Sequence, residues 1–101
     1  MKKMYVLVRK DLDQIYSMVQ GSHALAQFFL EYPESAREWN NSTIVFLGVK
    51  NEDALTLASF KLKRNGNQFS EFREPDLQNQ LTAISCYDED TCFEKYNVIS
   101  Q

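Results

Sequence analysis

Two stretches of apolar, strand-favouring sequence, Met4-Tyr5-Val6-Leu7-Val8-Arg9 and Thr43-Ile44-Val45-Phe46-Leu47-Gly48-Val49, are separated by a long segment of helical periodicity. A near-continuous apolar strand has no face to give to water, so both its faces must be covered. A helix between two such strands acts as a crossover, which sets them parallel rather than in a hairpin. These two constraints already confine the chain to a layered α/β domain.

The spacing predicts a strand over 3–9 and a helix over 15–31, where Val19, His23, Ala26 and Leu30 recur at intervals of four, three and four. Ala24, Leu25, Phe28 and Phe29 widen that apolar stripe, so the helix is expected to bury it. Tyr32-Pro33 ends the helix, since the residue before proline avoids the helical region. A short second helix then runs from Pro33 to Trp39. Asn40-Asn41-Ser42 is turn chemistry. After the 43–49 strand, Asn51 reads as an N-cap, with Glu52 and Asp53 in the first turn of a helix whose apolar face is Leu55, Ala58 and Leu62. Lys61, Lys63 and Arg64 complement its last turn, and Asn65-Gly66 closes it. Residues 68–73 alternate as a half-exposed strand does, and 81–87 form another covered strand, either paired with it in a hairpin or apart from it. Asp88-Glu89-Asp90 is expected to open a short helix or turn docked by Cys92, Phe93 and Tyr96. The expected fold is a single domain over 1–101, a three-layer α/β/α arrangement around a mixed four-stranded sheet.

At 101 residues with a net charge of −3, the chain does not suit broad electrostatic binding of nucleic acid, which relies on clustered cations. Arg9 and Lys10 still form a local basic pair at the end of the first strand. No apolar run nears the roughly 20 residues of a membrane span, and the apolar stretch after Lys2-Lys3 is too short for a signal peptide. A cytoplasmic location is the expectation. Two cysteines, Cys86 and Cys92, lack metal-ligand or C-x-x-C spacing, so they read as reduced thiols, and no metal is expected.

The residues at the breaks resemble a known family. Tyr5-Val6-Leu7-Val8-Arg9-Lys10-Asp11-Leu12 is similar to an opening strand ending in Val-Arg-x-Asp-Leu, and Gln20-Gly21-Ser22-His23-Ala24 to a Gln-Cys-x-His-Ala motif in the helix that follows. Both belong to the peptidyl-tRNA hydrolase 2 family, the archaeal and eukaryotic type, and the likeness runs over roughly residues 4–87. The chain departs from that family in two places. Its lysine-bearing loop is replaced by Asp13-Gln14-Ile15-Tyr16, and its Asp-Ala-Gly-Arg-Thr-Gln stretch by Glu74-Pro75-Asp76-Leu77-Gln78-Asn79-Gln80.

The resemblance implies hydrolysis of the ester between a peptide or N-blocked amino acid and tRNA, without metal or cofactor. His23 would activate the water, Asp11 and Glu74 would position it, and Arg9 and Lys10 would meet phosphate. Gln20, Ser22, Asp76 and Asn79 would line the substrate side. Each has a plainer reading: His23 as a hydrogen-bonded core histidine, Ser22 and Asp11 as caps, Glu74-Pro75-Asp76 as a turn. Tyr16, Phe28, Phe29 and Phe60 read as core. The alternative function is a module that keeps the fold without catalysis and binds tRNA, a nucleotide or a protein at the same strand ends. A domain this small also suits a homodimer.

Overall fold

β1 (Lys2–Arg9) is the strand on which everything else is laid: Met4 to Arg9 are buried along its whole length. The computed structural model of the chain describes residues 1–89, 93 and 95–99. Around β1 come α1 (Gln14–Glu31), α2 (Pro33–Trp39), β2 (Ile44–Val49), α3 (Glu52–Arg64), β3 (Phe69–Glu74), a single 3-10 turn at Pro75–Leu77, β4 (Gln80–Glu89) and a two-residue β5 (Asn97–Val98). The sheet order is β3-β4-β1-β2-β5. β1 runs parallel to β2 and antiparallel to β4, and β3 and β4 form an antiparallel hairpin. The carboxyl ends of β1, β2 and β3 therefore lie at one edge of the sheet, with the amino ends of α1 and α3.

Alternation along β1 divides the core. Tyr5 and Leu7 pack with Leu55, Ala58 and Leu62 of α3. Val6 and Val8 pack with Ala24 of α1, and Met4 with Phe28 and Trp39 of α1 and α2. Helices thus cover both faces, as the apolar strands require.

Four of the expectations are corrected. The stripe Val19, His23, Ala26 and Leu30 faces outward, Val19 being 47% and Leu30 77% exposed. The buried face of α1 is instead Ser17, Gln20, Gly21, Ala24 and Phe28. Its polar members are satisfied internally; Ser17 Oγ donates to the Arg9 carbonyl at 2.7 Å. Phe29 and Phe60 are likewise exposed rather than core. Asp88 and Glu89 continue β4 instead of opening a helix, because their register sets them opposite Lys3 and Lys2 of β1, and opposite charges across a ladder support pairing. The expected four-stranded sheet gains β5, which pairs with β2. Of the docking residues, Phe93 stacks on Tyr5 at 4.4 Å; Asp90 and Cys92 lie outside the described residues.

The Asn40-Asn41 turn takes positive φ at both residues, and Gly66 does the same after α3. The two other glycines permit close approach. A Cβ on Gly21 would sit 2.6 Å from the Phe46 ring and 3.0 Å from Val6 and Val8, and one on Gly48 would meet the Lys10 stem at 2.6 Å. Alanine gains about 1 kcal/mol over glycine in helix propensity, but overpacking a core costs roughly 1–3 kcal/mol. Gly21→Ala is therefore expected to lower stability in chemical denaturation despite the helical gain. Gly48→Ala should cost less, because the atoms it would meet, the Lys10 stem and the Cδ1 tip of Ile99 at 2.8 Å, are side-chain ends that can move aside; the reverse order would show that α1 does not sit this close to the sheet.

Candidate functional site

Where β4 starts, the hairpin register slips between Phe72 and Arg73: Phe72 pairs with Ala83, but Arg73 with Leu81. Thr82 is the extra residue, and the bulge turns it to the same face as Ala83. Its hydroxyl donates to Gln20 Oε1 at 2.6 Å, with the Phe72 carbonyl at 3.2 Å. Gln20 is 1% exposed and donates from Nε2 to Glu74 Oε1 at 2.9 Å. A carboxylate only accepts, so the amide must turn its NH2 to Glu74 and its oxygen to Thr82. One buried carboxamide thus ties α1 to both ends of the β3–β4 junction.

Glu74 Oε2 accepts the Asp76 backbone N–H at 3.2 Å. The Gln20 donation above all, then the Asp76 N–H, with the His23 charge adding to them, holds Glu74 below the usual carboxylate range. His23 lies one turn beyond Gln20 on α1. It is exposed, not sealed in the core, and its ring stacks on Phe72 at 4.5 Å with 13° between the planes. Tyr16, one turn before Gln20, stands near the same acids: desolvation first, then the charges of Glu74 and Asp76, push its phenol up. Tyr16, Gln20 and His23 form a line at spacings of four and three, facing the end of β3. The line puts an imidazole and a phenol one turn to either side of the residue that bonds Glu74.

Asp11 belongs to a neighbouring cluster. Arg9, only 6% exposed, grips it with two bonds, Nε to Oδ1 at 3.0 Å and Nη2 to Oδ2 at 2.8 Å. Arg9 Nη1 also reaches Gln80 Oε1 at 2.9 Å and the Leu81 carbonyl at 3.2 Å. The guanidinium hydrogen bond holds Asp11 below its ordinary pKa, against a smaller opposing effect of desolvation, and Arg9 correspondingly above. Arg9 is thus committed inside the protein, whereas Lys10 is exposed. Glu52 accepts the Leu81 N–H at 2.8 Å, so α3 also fastens the bulge.

The remaining predicted residues serve local structure. Ser22 sits mid-helix, exposed, and donates to the Met18 carbonyl instead of capping; the N-cap is Asp13, which accepts from the Tyr16 N–H. Asn79 takes positive φ, and its N–H closes the hairpin turn on the Glu74 carbonyl. Asp76 is exposed beside Glu74. Thr82, Tyr16, Gln80 and Glu52 were missed. Only Tyr16 left a signal, its place seven residues before His23.

A hollow of about 310 Å³ opens between the end of β1 and the start of α1, lined by Val8, Leu12, Met18 and Ile99 with Lys10 at its rim. Among the described residues no group of His, Cys, Asp and Glu is placed to hold a metal ion, and no helix is long and apolar enough to cross a membrane.

No protein-family model matches the chain, and no curated protein does. It is similar to a solved structure of a protein of unknown function, Atu0240 from Agrobacterium tumefaciens strain C58, with a TM-score of 0.73 and 11% identity over 98% of each chain. At that identity the likeness establishes the small α/β fold alone.

Two outcomes follow from these clusters. Thr82→Val leaves the buried Gln20 oxygen without a donor and should cost about 1–3 kcal/mol in denaturation; an unchanged midpoint would remove the clamp. The Asp11 carboxylate is stabilised in the folded state, so its contribution is present at neutral pH and disappears as pH falls through the carboxylate range. Asp11 is partly exposed, so that contribution is about 1 kcal/mol or less. Asp11→Asn should lower Tm at neutral pH and leave it unchanged well below about pH 4.

Proposed function

We propose that the chain is an ester hydrolase with a peptidyl-tRNA hydrolase 2-like fold, acting on the bond between a peptide or N-blocked amino acid and tRNA. One observation carries the reading: Gln20–Ala24, which resembles the family, and the stretch after β3, which stands where the family has its acidic stretch but departs from it, meet through the Gln20–Glu74 bond with an exposed His23 beside it. The carboxyl ends of strands, where ligands of open α/β sheets collect, supply the setting.

In this reading Glu74 holds a water and His23 takes its proton as the oxygen attacks the ester carbonyl carbon. The tetrahedral intermediate then collapses, the carbon–oxygen bond to the ribose breaks, and the departing hydroxyl receives the proton from His23. The Tyr16 hydroxyl, kept protonated by desolvation and then by the neighbouring acids, is a donor for the developing oxyanion. Lys10 meets phosphate. Arg9 and Asp11 act as positioning residues, holding the start of β4 and hence the bulge.

A second reading also has an observation in its favour. Both Glu74 oxygens already accept hydrogen bonds, and a carboxylate held ionised is a weak base. The lysine of the family's loop has no counterpart here. A catalytically silent module binding tRNA, a nucleotide or a protein at the same place fits these facts.

N-acetylated aminoacyl-tRNA separates the readings. The hydrolase predicts release of the N-acetyl amino acid by the wild type and a loss of roughly a hundredfold or more in His23→Ala. Tight tRNA binding without release supports the silent module. Equal release by both proteins, or neither binding nor release, rules out tRNA chemistry at this site.

A further inference from the structure

On the α3 side of the sheet, the face opposite the one that α1 covers, two hollows share a wall. The smaller, about 230 Å³, is rimmed by Lys61, Asn65, Lys95 and Tyr96. Buried Leu62, Ala58 and Phe93 form its apolar part. The larger, about 710 Å³, opens at the carboxyl ends of β1 and β2 and holds Lys10 and Lys50. Lys95 and Tyr96 line both, so the two form one cleft divided at these residues.

The polar groups of the smaller hollow are of one kind. Its two ammoniums only donate, its phenol and carboxamide can donate, and no Asp or Glu is among the described residues that line it. Asp11 lies in the wall of the larger hollow, but Arg9 already holds it. Among the described residues no carboxylate pairs with Lys10, Lys50, Lys61 or Lys95. In a chain of net charge −3, four lysines thus gather without an acid to meet them. Lys61 and Lys95 stand within direct reach of each other. That contact, then the Lys95 charge, desolvation and Arg64, hold Lys61 below the ordinary lysine range. Cations left side by side repel, and an anion between them turns the repulsion into attraction.

We propose that this cleft binds a pyrophosphate group, one phosphoryl unit between Lys61 and Lys95 and the other beside Lys10 and Lys50. The ligand class is a pyrophosphate ester such as a nucleoside diphosphate, whose remaining atoms occupy the larger hollow. That hollow falls within the size range of small-molecule sites. Lysine meets phosphate as a point charge with three donors, so four of them suit a group with several charged oxygens. A single carboxylate would leave most of them unpaired. An extended nucleic acid calls for cations spread along its backbone, whereas these enclose a cleft. Lys10 is the one residue shared with the ester-hydrolase reading, and the test leaves it unchanged.

Titration calorimetry of the full chain with inorganic pyrophosphate, ADP and adenosine tests it. Pyrophosphate and ADP should bind and adenosine should not. Lys61→Ala and Lys95→Ala should each weaken pyrophosphate binding about tenfold or more, with circular dichroism unchanged, and Lys61→Arg should keep most of the affinity. Lys63→Ala, in the same last turn of α3 but lining neither hollow, should bind like the wild type. No pyrophosphate binding by the wild type, adenosine binding as tightly as ADP, or equal weakening by Lys63→Ala overturns the proposal. Inert pyrophosphate beside an RNA oligonucleotide that binds and loses affinity in Lys61→Ala overturns it too, and makes the cleft an RNA surface. No variant touches His23 or Glu74, so cleavage of N-acetylated aminoacyl-tRNA is read separately.

Discussion

The Gln20 carboxamide is the joint of this molecule. It is buried, it has two partners of opposite hydrogen-bonding character, and those partners sit on either side of the β3–β4 junction. Gly21, Ala24 and Phe28 pack α1 on the sheet and Ser17 and the Ala24 carbonyl bond it there, while Gln20 bonds it to both Glu74 and Thr82 across the junction. A buried polar group with its hydrogen bonds made adds little net stability, but leaving one unmade is costly. The joint therefore selects one arrangement of helix, bulge and acid from among many that the apolar core would tolerate.

That arrangement has two linked halves. On one side, Glu74 is kept ionised beside an exposed imidazole. On the other, Arg9 locks Asp11 and the start of β4. The halves share the bulge: Arg9 holds the Leu81 carbonyl, Glu52 the Leu81 N–H, and Gln20 the Thr82 hydroxyl. Elements from both faces of the sheet thus converge on two residues of β4. Residues first read as four independent participants, Arg9, Asp11, Glu74 and His23, divide into a support and a candidate reacting pair.

The strands were legible in the sequence because apolar, β-branched runs such as 43–49 have few other uses. The caps at Asn51 and Gly66 were legible for a similar reason, their chemistry being local. The face of α1 was misread because hydrophobic periodicity ranks Val19 and Leu30 above Ser17, Gln20 and Gly21. Those three are buried for other reasons: Ser17 bonds the end of β1 and Gln20 partners far along the chain, and Gly21 is there for closeness. The bulge was illegible, since one extra residue in a strand changes no composition. Asp88 and Glu89 looked like a helix start until their partners, Lys2 and Lys3, were known. The meeting of Gln20–His23 with Glu74 could be expected only on the condition that β3 runs parallel to β1, because it rests on a contact between positions 54 residues apart in the chain.

The central claim is that His23 and Glu74 face one shared site. NMR titration of the isotopically labelled protein with an amide-linked N-acetylaminoacyl adenosine, which lacks the cleavable ester, tests it most directly. The account predicts joint shifts of the His23 ring and the Glu74 carboxyl carbon, with Tyr16 and Thr82 following and the outer face of α3 silent. Saturable shifts confined to that outer face, or none at His23 and Glu74, would contradict it.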